Sequence, residues 1–336
     1  MTVAIKLTDE EKTPGAKGQR MRHLIVSVTL VFAGCTAPSD ISVTPAARAE
    51  TNRPVRVFIV AGQSNAVGYN NVTEYQKGKV EFPKELRYQP RIMFWQAGSD
   101  GREQTNAWRT LRVADSGSFG PEISFACDMA QAMPNERIAI VKCAVGATGI
   151  ARSVDYDDYI PALHGFDDKN NNWHPPSQGR KSGALYERLI RDVRAATSAL
   201  DRENRAWQLT GAIWMQGEHE AGISRKMAED YGDLLAGFVG AVRRDLEASA
   251  LPFAIGQINS HAWAYGDVAR ESQARACRND SRAVLVATVD LSRSGSGGAA
   301  HFDADGMVTL GSRFAEAMQS QLAPKKSICG NRTEGD

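Results

Sequence analysis

Net charge is nearly absent from this 336-residue chain, where 40 Lys and Arg stand against 39 Asp and Glu. A polyanion needs a basic field to hold it, and no dense Lys/Arg stripe interleaved with aromatics occurs, so nucleic acid is excluded as a partner. Long apolar runs are missing too: the stretch from Leu24 to Gly34 is about half of the roughly 20 residues that span a bilayer. Cysteine is scarce, with 5 in the chain and none in a C-x-x-C pair, which removes thioredoxin-like and zinc-ribbon readings. No H-E-x-x-H occurs. His219 and Glu220 lack metal-ligand spacing, and His164, His174 and His261 are scattered, so neither a metal nor another cofactor is expected.

What is present is an ordinary globular composition, 42% hydrophobic and 24% charged, which excludes a disordered chain. The first fifty residues differ from the rest. Arg20, Arg22 and His23 precede the apolar run, and Ser, Thr and Pro follow it from Thr36 to Pro45. That layout predicts an export signal and tether over residues 1–52, with a periplasmic or secreted product. Two processing sites compete. Phe32-Ala33-Gly34-Cys35 resembles a lipoprotein cleavage box, which would put a lipid anchor on Cys35, and Ala47-Arg48-Ala49 suits ordinary signal peptidase. Outside the cytoplasm Cys127, Cys143, Cys277 and Cys329 could pair in three ways, while Cys127 and Cys143 also suit buried thiols; both readings stand.

Short β-branched runs recur at Val55 to Val60, Ile138 to Ala144, Leu209 to Met215, Phe253 to Ile258 and Ala283 to Val289, as in strands buried on both faces. Helical spacing lies between and after them, at Leu185 to Leu200, Tyr231 to Val242 and Met307 to Met318. The alternation predicts one α/β domain over residues 53–322, a parallel sheet covered on both sides, with a tail over 323–336. Asn70 to Ser116 and Ser153 to Gly183 show no clear periodicity and read as long loops. Their tryptophans Trp95, Trp108 and Trp173, together with Trp263, could stack on a sugar ring or pack in the core.

Ligands of such sheets bind beyond the carboxyl ends of the strands. The residues expected there are Gly62-Gln63-Ser64-Asn65, Gly146 to Gly149, Gln216 to Glu220, Asp290 and His301. Ser64, at a strand-to-helix turn after a glycine, is placed like a nucleophile whose backbone N–H faces a helix start, although the setting is not a G-x-S-x-G elbow.

The blocks Val57 to Asn65, Phe119 to Glu122, Lys142 to Thr148, Ile213 to Glu218 and His301 to Ala315, in that order, resemble the SGNH-hydrolase branch of sialate O-acetylesterases and family-six carbohydrate esterases. The resemblance implies a three-layer flavodoxin-like fold and metal-free deacetylation of O-acetylated carbohydrate. It makes Ser64 the nucleophile and His301 the base. It also makes Gln216, with the N–H groups of Ser64 and Gly146, the oxyanion donors, with Gln63 beside them on the substrate. Where the family has an Asp three residues before the histidine, this chain has Gly298, in the run Ser294 to Gly298. Glu218 is the first candidate to orient His301, ahead of Asp290 and Asp303, the last of which equally suits a helix cap. Two other functions remain open: an SGNH lipase or thioesterase acting on longer acyl esters, and a catalytically impaired carbohydrate-binding protein.

Overall fold

Seven strands make one sheet in the computed structural model: β1 (Val55–Gly62), β2 (Tyr88–Gln96), β3 (Arg109–Arg112), β4 (Ile138–Ala144), β5 (Trp207–Met215), β6 (Phe253–Gly256) and β7 (Ala283–Val286), in the order β3-β2-β4-β1-β5-β6-β7. The structure describes residues 53–78, 80–97, 107–157, 172–177, 180–293 and 300–324. By its contacts the chain divides into a unit of residues 1–43 and one of 44–336, and every described residue belongs to the second. The signal, Cys35, Cys329, the run Ser294 to Gly298 and His164 lie outside the described residues.

All five expected strands are present, and neighbours pair in parallel except β2 with β3. Those two strands are a correction, because they occupy a stretch read as loop. β2 contains Pro90, and its pairing with β3 breaks register between Gln89 and Met93; β3 is four residues long and half arginine. Pro90 falls in the stretch of β2 that pairs with neither neighbour, so its missing N–H costs no ladder bond, and such interruptions erase the periodicity by which a strand is recognised.

Among the described residues eight α-helices flank the sheet: α1 (Ser64–Val67), α2 (Lys84–Arg87), α3 (Glu122–Ala132), α4 (Ala184–Arg202), α5 (Glu218–Ile223), α6 (Arg225–Asp245), α7 (Gly266–Arg278) and α8 (Ala304–Leu322). Alternation along β1 divides the core. Phe58 and Val60 face one side with Phe125 of α3 and Phe314 of α8, while Val57 and Ile59 face the other with Leu189 of α4 and Phe238 of α6. This is an α/β sandwich of helix, mostly parallel sheet and helix. Among the described residues Cys127, Cys143 and Cys277 are free thiols, and burial pushes Cys143 and Cys277 up to about 12.

The central registers decide where the loops meet. Gly62 pairs with both Ala144 and Met215, so β1, β4 and β5 end at one level. Gly62 has φ +136°, and a Cβ there would stand 2.1 Å from the Met215 carbonyl oxygen, so only glycine lets the chain turn out of the sheet this close to its neighbour. The short helix that follows is held from below. Lys142 Nζ, fully buried on β4, donates to the Val67 carbonyl at 3.0 Å and to Glu122 Oε2 at 2.6 Å, and Glu122 Oε1 accepts from the Gly120 N–H.

An ion pair this dry is strongly destabilising when one partner is removed, because the other charge stays buried alone. Lys142→Met is therefore expected to lower the unfolding free energy by about 3–5 kcal/mol. Adding Glu122→Gln should restore part of the loss, as read by chemical denaturation of the folded protein.

Candidate active site

Beyond the ends of β1, β4 and β5 lies a cavity of about 470 Å³ bounded by Gln63, Ser64, Tyr69, Gly146, Ala147, Glu218, His219, Gly222, Ile223, Trp263 and His301. Ser64 opens α1 directly after the Gly62 turn, so its hydroxyl and its N–H sit where the helix start leaves N–H groups unbonded. His301 arrives from the far end of the chain, just before α8, whose start Asp303 caps by accepting from the Gly306 N–H at 2.8 Å. The expected nucleophile and base thus share one cavity. Among the described residues no hydrogen bond joins the His301 ring to another side chain; its ring lies 5.3 Å from that of Tyr69. Burial holds the His301 imidazole below its ordinary range.

Glu218 is brought to the site in a different posture from the one expected. It is 1% exposed, and both its oxygens face amides: Gln63 Nε2 donates to Oε2 at 2.5 Å and Asn65 Nδ2 donates to Oε1 at 2.9 Å. Burial raises its carboxyl above the usual range, against the opposing bonds from Asn65, its own backbone N–H and Gln63. The carboxylate therefore ties together the residues on either side of Ser64 and does not hydrogen-bond the imidazole. Gln63 completes its own set by accepting from the Thr148 N–H at 3.3 Å, so its amide braces the β4 loop while its residue borders the cavity.

Two further expected residues are engaged with other partners. Gln216 is fully buried: its Nε2 donates to the Thr148 carbonyl and to Glu220 Oε2, and its Oε1 accepts from the Tyr231 hydroxyl at 2.9 Å. With its amide occupied on both sides it holds loops together and is not aimed at an oxyanion. Glu220, equally buried, also accepts from the N–H groups of Ile150 and Ala151. Asp290 forms a two-pronged pair with Arg313 at 2.7 and 2.6 Å, which pushes its carboxyl down to about 2 and leaves it outside the cavity. Of the tryptophans, Trp263 alone borders the cavity. Trp95 and Trp173 are core residues, and Trp108 packs on Trp95.

Sequence reasoning placed Asn65 at the strand ends but gave it no role. It is 1% exposed, and besides Glu218 it bonds the chain around His301. Its position beside Ser64 was the available signal. Ala147, where the resembling family often has glycine, has φ +56°, a region costly for a residue with a Cβ.

A family model described as carbohydrate esterase, sialic acid-specific acetylesterase, matches residues 54–320. Among solved structures the chain is similar to a protein from Arabidopsis thaliana at TM-score 0.58 and 20% identity, covering 81% of this chain and 100% of that one. It is similar to NanS at TM-score 0.55 and 19% identity, covering 80% and 97%. A carbohydrate acetylesterase from Xanthomonas citri aligns at TM-score 0.52 and 16% identity, covering 79% of this chain and 56% of that one. Curated proteins yield no match.

Two stability outcomes follow from this arrangement. Gln216→Ala should cost about 1–3 kcal/mol in denaturant unfolding, since it strands buried partners on Glu220 and Tyr231. Ala147→Gly should raise stability by up to about 1 kcal/mol, because relief of the left-handed backbone outweighs the added freedom of the unfolded chain.

Proposed function

The chain belongs to the carbohydrate esterase family of sialic acid-specific acetylesterases and is a carboxylic ester hydrolase. From that premise we propose that it is an exported serine esterase that removes O-acetyl groups from sialate, xylan or a related carbohydrate through an acetyl-serine intermediate. The observation that carries this reading is the meeting of Ser64 and His301 at one cavity.

In the proposed reaction Ser64 Oγ attacks the acetyl carbonyl carbon while its proton passes to His301, and the carbonyl electron pair becomes an oxyanion. The N–H groups of Ser64 and Gly146, at the head of α1 and in the loop after β4, are assigned as its donors on the family resemblance. Collapse breaks the bond to the sugar oxygen, which takes the proton from His301. Water then repeats the sequence on the acetyl-serine and regenerates the hydroxyl. With Gln216 occupied elsewhere, backbone donors carry the oxyanion. Trp263 and Tyr69 offer aromatic faces at the cavity wall on which a sugar ring could rest. Export rests on the signal-like layout of residues 1–52. Cell fractionation of the full chain beside its Cys35→Ser variant tests it, with loss of membrane association in the variant expected if Cys35 carries lipid.

Turnover of p-nitrophenyl acetate by the wild-type protein is the direct test. Ser64→Ala should reduce it by about 10³-fold or more. Asp290→Asn should stay within about twofold, because that carboxylate serves an exposed ion pair. His301 must be neutral to accept the proton, and burial lowers its pKa, so kcat/KM should rise with pH through a pKa below the ordinary 6.5 and then level off. Activity that increases from acetyl to octanoyl esters would favour the lipase reading. A folded wild type without turnover that still binds sugar would favour the binding protein.

A further inference from the structure

Asn65 makes three bonds with one carboxamide, and each has a partner of a different kind. Its Nδ2 donates to Glu218 Oε1 at 2.9 Å and to the Ala300 carbonyl at 3.1 Å, and its Oδ1 accepts from the Phe302 N–H at 3.2 Å. Ala300 and Phe302 are the residues immediately before and after His301. Bonds to the preceding C=O and the following N–H are those a neighbouring strand makes to the residue opposite it, and they fix the orientation of the peptides on both sides. Fixing both peptides fixes the Cα–Cβ direction of the residue between them. The imidazole itself has no hydrogen bond to a described side chain, and its ring rests against Tyr69.

We propose that Asn65 and Glu218 form a positioning clamp that holds His301 by its main chain, with the Glu218 carboxylate setting the Asn65 amide and, through Gln63, the other side of the nucleophile. The inference rests on the serine-esterase reading above. It gives Glu218 a role other than direct orientation of the base: the carboxylate accepts one N–H from each amide flanking Ser64, so nucleophile and base are referred to a single buried group. Asn65 and Glu218 are positioning residues, since His301 and Ser64 are the groups that meet substrate. A displacement of about 1 Å at a reacting group can cost about 10²-fold in rate, which sets the scale of the expected effect.

Polarity makes the clamp testable. Asn65→Asp removes both donors and faces one carboxylate with another, whereas Asn65→Asp combined with Glu218→Gln exchanges donor and acceptor. In that double variant the new amide at position 218 can donate to the new carboxylate at position 65. The same carboxylate can still accept from the Phe302 N–H, and only the Ala300 bond is lost. Kinetics on p-nitrophenyl acetate would compare wild type, Asn65→Ala, Asn65→Asp, the double variant and Ser64→Ala, with circular dichroism confirming the fold of each. Asn65→Ala and Asn65→Asp are expected to lower kcat by about 10²-fold with KM within about threefold. The double variant should recover at least about tenfold over Asn65→Asp.

The acid limb of the pH profile supplies a second readout. Tyr69, Glu218 and His219 are the titratable groups that share the cavity with His301. A released imidazole gains water, so in Asn65→Ala the limb should move up toward 6.5. Wild-type kcat and an unmoved limb in folded Asn65→Ala, with Ser64→Ala inactive, would overturn the clamp alone, as would a double variant no better than Asn65→Asp. Undiminished turnover in Ser64→Ala, or none in the wild type, would overturn the serine-esterase reading and the assignment with it.

Discussion

A single carboxylate, that of Glu218, organises the end of the sheet where the cavity lies. A buried charge needs hydrogen-bond donors on every side, and the donors it finds are the amides of Gln63 and Asn65, one on each side of Ser64. From Gln63 the network reaches Thr148 in the loop after β4, and from Asn65 it reaches the chain around His301. Loops that begin at the ends of three strands, and a residue more than two hundred positions from Asn65, are thus referenced to one group. A hydrophobic contact there would resist separation equally well, but it would not define direction. Hydrogen bonds to a charge define both.

A second buried charge does comparable work one layer down. Lys142 reaches from the middle of the sheet to the last carbonyl of α1 and to Glu122, which in turn takes the Gly120 N–H. The Phe119 to Glu122 block and the lysine that follows in the sequence therefore brace the underside of the turn that carries Ser64. Gln216 and Glu220 do the same for the β4 and β5 loops, with the Tyr231 hydroxyl closing the set. Much of the polar character of these blocks serves to satisfy backbone groups where three strands end together.

Legibility followed burial. β1, β4 and β5 are central strands, covered on both faces, and uninterrupted runs such as Ile138 to Ala144 are visible in composition alone. β3, at the edge, and β2 beside it mix Pro and Arg with apolar residues and could not be told from loop. α4, α6 and α8 showed because each has one apolar stripe. α1 has four residues and no period to detect; its place was signalled by the glycine and serine at its head. That Ser64 and His301 border one cavity was legible because strand ends of an α/β sheet share one rim, whereas the partners of Asn65 lie far along the chain.

The order of strands and helices, the residues at the strand ends and the identity of the groups able to do acyl chemistry are properties of the sequence itself, because hydrophobic periodicity and turn-forming glycines are local. Which carboxylate serves which partner was decided only in three dimensions. Glu218, Asp290 and Asp303 are alike as acids in the chain, yet one bonds two amides in a dry interior, one pairs with Arg313 at the surface, and one caps α8. A carboxylate's role is set by the donors and the water around it, and those neighbours come from distant parts of the chain that only the packed fold brings together.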